Sequence, residues 1–156
     1  MDLVYLDYNC FQRAFDDPRQ VKIQMEALAC QEVFIRAEEG KLSLVWSFMH
    51  EDETILCPFP ERRLEVTRLA TLCKVRVGPE EEIRRLAASL QQSGGFSAKD
   101  AVHPEENPQT FPLACGSRAK VDCLLTCDDL LTKRSKRLKL DLVVMNPVDY
   151  MRREVS

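Results

Sequence analysis

Apolar residues fall along this chain in short unbroken blocks separated by longer stretches with helical spacing. Leu3-Val4-Tyr5-Leu6 is such a block, closed by Asp7, and it predicts a strand buried on both faces. Asp17 and Pro18 suit a helix cap and first turn. Ile23, Ala27, Cys30, Phe34 and Ala37 then recur at alternating steps of four and three, one apolar helix stripe that Gly40 stops. Leu42 to Val45 predicts a second strand, after which Trp46-Ser47 opens a helical stretch carrying Glu51, Asp52 and Glu53. Pro58 and Pro60 break that stretch, and Glu61 to Leu72 reads as a helix with Leu64, Leu69 and Leu72 inward. Val75 and Val77 mark a third strand, and Pro79 starts a helix with Ile83, Leu86, Ala87 and Leu90 on one face. Ser93-Gly94-Gly95 is a loop, and Ser97 caps a helix containing Lys99, Asp100 and His103. Pro104, Pro108 and Pro112 interrupt this helix and Leu113 to Ala119 resume it. Cys123 to Thr126 predicts a fourth strand, Asp128 to Leu138 a helix, and Leu142 to Met145 a fifth strand.

Five short apolar strands separated by helices predict an α/β protein, a central five-stranded parallel sheet covered on both faces in a three-layer α/β/α sandwich. With 156 residues and no internal repeat or linker, the chain reads as one domain, 1–156, with a proline-rich insertion at about 104–112. No apolar stretch approaches the roughly 20 residues that span a bilayer. Met1 to Leu6 lacks a basic region followed by an apolar run, so no membrane partner and a cytoplasmic location are expected. The seven cysteines are scattered, odd in number and without a C-x-x-C pair, and only two histidines accompany them. That pattern favours small buried side chains in a reducing compartment over a disulfide framework or zinc.

The chemistry concentrates where strands end. Asp7 closes the first strand, Asp128-Asp129 follow the fourth after Thr126, and Glu53 and Asp100 sit on helices after the second strand and before the fourth. Ligand crevices in open parallel sheets lie beyond the carboxyl ends of strands. If the first and fourth strands are neighbours, Asp7 and Asp128 meet there. Two carboxylates 4 Å apart repel by roughly 4 kcal/mol at an effective dielectric near 20, and a hard divalent cation removes that penalty. Carboxylate oxygens with water suit Mg²⁺ or Mn²⁺. Taken singly, each acid also fits a structural role, with Asp7 before Asn9 and Asp128 after Thr126 placed as helix caps.

Several segments resemble the PIN-domain family. Leu3-Val4-Tyr5-Leu6-Asp7-Tyr8-Asn9 is similar to the opening strand of these domains, which closes with Asp-x-Asn. Lys99-Asp100-Ala101-Val102-His103 resembles their Asp-Ala-x-His helix start, and Val121 to Asp129 resembles their aspartate-strand-Thr-x-Asp segment. Val143-Val144-Met145-Asn146-Pro147 matches the terminal strand that runs into Asn-Pro, and Leu44 through Glu53 resembles the serine-then-glutamate helix. Five motifs in order span essentially the whole chain. The resemblance implies a Mg²⁺- or Mn²⁺-dependent endoribonuclease in which Asp7, Glu53, Asp100 and Asp128 are catalytic and hold metal. It implies that Asn9 and Thr126 orient the acids or an attacking water, with Asp129 a substitute for Asp128 and Glu51 for Glu53. Asp122, ahead of its strand, is expected to face away. The unbroken family helix after Asp100 is here interrupted by the proline-rich segment.

A net charge of −3 gives no general attraction for RNA, so the expected contact is local. Lys133, Arg134, Lys136, Arg137 and Lys139 form the dense basic run, and Arg13 lies near the first strand's exit. The family's most familiar short stand-alone members are toxins, which makes an antitoxin protein a candidate partner beside RNA, and a homodimer is expected on the same ground. The competing reading is a catalytically inactive PIN-fold module that binds RNA or protein. Asn9 in place of a second aspartate disfavours an aspartyl phosphatase, and glycine-rich nucleotide loops are missing.

Overall fold

A computed structural model describes residues 1–93, 110–138 and 140–155. Its strands are β1 (Asp2–Leu6), β2 (Leu42–Ser47), β3 (Val75–Val77), β4 (Cys123–Leu125) and β5 (Val144–Met145). They form one sheet in the order β3-β2-β1-β4-β5, and every neighbouring pair is parallel. The helices among the described residues are α1 (Tyr8–Gln12), α2 (Val21–Glu38), α3 (Phe48–Leu56), α4 (Pro60–Ala70), α5 (Glu81–Ser93), α6 (Thr110–Arg118), α7 (Asp129–Ser135) and α8 (Pro147–Val155), with a 3-10 turn at Arg13–Phe15.

Strand side chains alternate between two apolar cores, because successive residues of a strand point to opposite faces. Val4 and Leu6, Leu44 and Trp46, and Cys123 and Leu125 meet residues of α1, α2, α4 and α8 on one face. Tyr5, Val45 and Leu124 meet residues of α5, α6 and α7 on the other. Burial on both faces explains why the inner strands β1, β2 and β4 read as largely apolar runs, and helices on both sides give the three-layer α/β/α sandwich expected from the pattern.

The differences from the sequence expectations are local. β2 continues through Trp46 and Ser47, and α3 starts only at Phe48. Asp17 does not cap α2. Its carboxylate accepts from the Arg19 amide and pairs with the Arg19 guanidinium, while α2 begins at Val21 after Gln20. Leu64 is 75% exposed rather than inward, and Val66, Leu69 and Ala70 carry the buried face of α4. Pro112 does not interrupt a helix but occupies the first turn of α6, where its missing N–H has no intrahelical partner to lose. β4 stops at Leu125, β5 contains only Val144 and Met145, and α7 ends at Ser135. α1 and α8 are additional elements. Gly40 closes α2 with φ of 76°, and the amide of Lys41 donates back to Arg36 O at 2.8 Å, a left-handed stop that glycine adopts without strain. Asp100, His103, Pro104, Pro108 and Lys139 lie outside the described residues, as does most of the 104–112 segment.

Candidate functional site

The chain builds β1, β2 and β3 outward in one direction and then returns to place β4 on the other side of β1. The strand order reverses between β1 and β4, and a crevice opens beyond their carboxyl ends at such a switch point. Asp7 stands there. Its amide donates to Leu125 O at 2.8 Å, and its Oδ1 accepts from the Tyr8 amide at 2.9 Å as the N-cap of α1. The cap turns the chain sharply and leaves the carboxylate at the sheet edge.

A network joins this carboxylate to the end of β4. The Thr126 hydroxyl donates to Asp7 Oδ2 at 2.7 Å, and Asn9 Nδ2 donates to the same oxygen at 3.2 Å. Asn9 Oδ1 accepts from the Cys127 amide at 3.2 Å, and the Asp128 amide donates to Thr126 Oγ1 at 3.1 Å. Asp128 caps α7, taking the Leu130 and Leu131 amides on Oδ1 at 3.0 and 3.2 Å. Its Oδ2 has no hydrogen-bond partner among the described residues. The structural cap roles and the gathering of acids therefore coexist in the same side chains.

Glu53 arrives from α3, which is held by the motif serine Ser47 together with His50 and Thr54, which the motifs did not mark. His50 is 1% exposed; its Nδ1 accepts from the Ser47 amide at 2.9 Å, so its Nε2–H donates to Leu6 O at 2.6 Å. Burial pushes this imidazole down to about 4, which keeps it neutral. Ser47 accepts the hydroxyl of Tyr5 at 2.8 Å or donates to it, and its side chain caps α3. Thr54 donates to His50 O at 2.7 Å and receives the Tyr8 hydroxyl at 3.0 Å, tying α3 to α1. Glu51 instead accepts the Trp46 indole N–H at 2.8 Å, which directs it away from a role in place of Glu53.

Electrostatics single out two acids. Burial raises Asp7 from 3.8 to about 6, with the negative charge of Asp128 adding to it and the bonds from Thr126 and Tyr8 opposing it. Burial raises Glu53 from 4.5 to about 7, with the charges of Asp7 and Asp52 contributing. Glu53 has no hydrogen-bond donor or cation beside it among the described residues. Asp7 feels the charge of Asp128, and Glu53 that of Asp7, with no cation paired with them among the described residues, an arrangement that a bound cation stabilises. The donor set is all oxygen, and Asp7, Glu53 and Asp128 each keep lone pairs free that could be offered to a hard divalent ion.

The remaining expected residues are placed differently. Asp129 is exposed and pairs with Lys22 at 3.4 Å. Arg13 is committed to Asp16 at 2.9 Å and to buried Glu26 at 2.8 Å, which ties it to the fold. Lys133, Lys136 and Arg137 are exposed at and beyond the end of α7, and Arg134 is half-buried. Asp122 accepts from the Leu3 amide at 2.7 Å, at the opposite end of β1 from Asp7. Glu26 is 1% exposed and also receives Lys22 at 3.2 Å and Asn146 Nδ2 at 2.5 Å. Its signal in the sequence is a carboxylate beside the apolar stripe of α2. Cys10, Cys30 and Cys127, far apart in sequence, converge, and among the described residues they form the only group of three or more metal-binding side chains with all donor atoms within 4.8 Å of one another. The acids are thus farther apart than a closed cage, with Asp100 outside the described residues. No protein-family model, no curated protein and no solved structure matches this chain.

Proposed function

We propose that this chain is a PIN-type, Mg²⁺- or Mn²⁺-dependent endoribonuclease. The observation that carries this reading is that the end of β1 and the end of β4 place Asp7 near Asp128 at the switch point, with Glu53 close enough to feel Asp7 and no cation paired with any of the three among the described residues. Asp7, Glu53 and Asp128 hold the metal, with Asp100 completing the set by the family resemblance. A bound divalent ion supplies charge neutralisation at the scissile phosphate and a water of lowered pKa. Thr126 and Asn9 hold the Asp7 carboxylate in one orientation, which limits the reorganisation that binding requires. Lys133, Lys136 and Arg137, exposed on the chain that leaves Asp128, are the cations that contact phosphates. Arg13 acts through Glu26 as a structural group. The narrower roles of a toxin checked by an antitoxin protein and of a homodimer rest on the resemblance alone, and a cytoplasmic location is proposed with them. No helix among the described residues is long and apolar enough to cross a membrane.

The test is cleavage of a mixed structured RNA pool with Mn²⁺, with Mg²⁺ and with EDTA, comparing wild type with Asp7→Asn. Metal-dependent cutting that the substitution reduces by at least about 100-fold, more than loss of an outer-shell partner produces, supports the reading. Absence of cutting with either metal favours the inactive binding module.

A further inference from the structure

We propose that Cys10, Cys30 and Cys127 form a second metal site, a buried trithiolate for a thiophilic cation of the Cu(I) type. The three thiols come from α1, from the middle of α2 and from the turn between β4 and α7, and they are 1%, 3% and 4% exposed. All three sulfurs lie within 4.8 Å of one another, and Cys10 and Cys127 are 4.0 Å apart. A three-coordinate ion bonded to each sulfur at about 2.3 Å spaces the sulfurs by about 4.0 Å, so the thiols need to move by less than about 1 Å. Plain core packing accounts for burial, but it does not require three thiols from three elements to aim at one point.

The surroundings fit an ion as well as the sulfurs do. Arg13 and Lys22 bring positive charge toward Cys127, while the Cys10 thiol donates to Asn9 Oδ1 and Leu125 O at 3.4 and 3.5 Å, two weak bonds that metal binding replaces with a metal–sulfur bond. Binding releases the thiol protons and leaves a negatively charged cluster; Arg13 and Lys22 stand near it but are also paired with Asp16, Glu26 and Asp129. A cavity of about 490 Å³ between α1, α2 and α4 is lined by Cys10, Cys30, Phe11 and Phe34 and provides the entry path. No fourth His, Cys, Asp or Glu among the described residues joins the group. Three sulfurs without a fourth strong ligand suit Cu(I), whereas structural zinc is almost always four-coordinate.

The test titrates the reduced, oxygen-free full chain with Cu(I) against a chromogenic Cu(I) chelator, and in a separate arm with Zn²⁺. Wild type, Cys10→Ser, Cys30→Ser and Cys127→Ser are compared with Cys73→Ser and Cys115→Ser, which remove buried thiols outside the group. The expected result is one equivalent of Cu(I), three sulfur neighbours at about 2.3 Å by X-ray absorption, and Cu(I) affinity at least about 100-fold lower in the three group variants only. Because the wild-type stoichiometry and sulfur count stand without any variant, a substitution that fails to fold does not blunt the test. No uptake, two sulfurs, equal loss in the Cys73 and Cys115 controls, or tight binding of Zn²⁺ in preference to Cu(I) would overturn the proposal. Neither readout involves RNA, so failure here leaves the acidic site untouched.

Discussion

Asp7 carries two opposed demands, since it caps α1 with one oxygen and lies at the carboxyl edge of the sheet within reach of the charges of Glu53 and Asp128. Without a cation the second demand is unfavourable. Asp7→Asn is therefore expected to reduce metal-dependent activity while leaving the EDTA-treated protein at least as stable as wild type at pH 8, read by urea denaturation. A loss of more than about 2 kcal/mol there would mean that the carboxylate is a structural acid like most buried ones. Thr126 gives a finer test. Its hydroxyl donates to Asp7 and holds its pKa down, so Thr126→Val is expected to move Asp7 above about 6 in a carboxyl NMR titration with EDTA. Glu26 is the contrasting acid, paired with Arg13 and Lys22 and bonded to Asn146. Glu26→Ala is expected to destabilise by about 3 kcal/mol in the same denaturation, because Arg13 loses its buried partner.

The elements that build the site were legible to different degrees. Apolar runs located the inner strands β1, β2 and β4 because they are mostly buried, the edge strands β3 and β5 showed as shorter half-buried pairs of apolar residues, and the acids at the strand ends followed directly. The ends themselves were misplaced where polar residues remain in the ladder. Ser47 reads as the opening of a helix, yet it is the last residue of β2 and the cap of α3. Leu64 fits an inward spacing from sequence, but α4 rests on Val66, Leu69 and Ala70, and periodicity alone does not choose between adjacent apolar stripes. α1 is a five-residue helix fixed by Asp7 and by packing of Phe11 on Trp46 and His50, too short for periodicity to register. His50 was invisible because nothing local says that a histidine after Ser47 will reach Leu6 across the sheet edge. The capping of α3 is testable. Ser47→Ala is expected to cost about 2 kcal/mol, one part from the cap and one from the stranded Tyr5 hydroxyl, by urea denaturation. A change below about 0.5 kcal/mol would show that α3 is held by packing alone.

The whole molecule should report the acidic site in its pH dependence. Asp7 and Glu53 are raised on folding, so between about pH 4 and pH 7 the native chain binds more protons than the unfolded chain, and stability falls as pH rises through that window. The partial exposure of both groups limits the effect to on the order of 2 kcal/mol each. Saturating Mn²⁺ is expected to abolish this slope, since the ion replaces the protons, and thermal melts at pH 5 and pH 8 with Mn²⁺ or EDTA check it. Tertiary assembly, through the return of β4 beside β1, brings Asp7 and Asp128 together although 121 positions separate them. It also brings Cys10, Cys30 and Cys127 together, and scattered spacing in the sequence concealed that group. The most direct measurement is calorimetric titration of Mn²⁺ into wild type and Glu53→Gln near pH 6.5 in two buffers of different ionisation enthalpy. The account predicts saturable binding with net proton release from Asp7 and Glu53, and both weaker binding and smaller release in Glu53→Gln. Absence of binding, or binding without proton release that Glu53→Gln leaves unchanged, would contradict an acidic metal site at the carboxyl edge of this sheet.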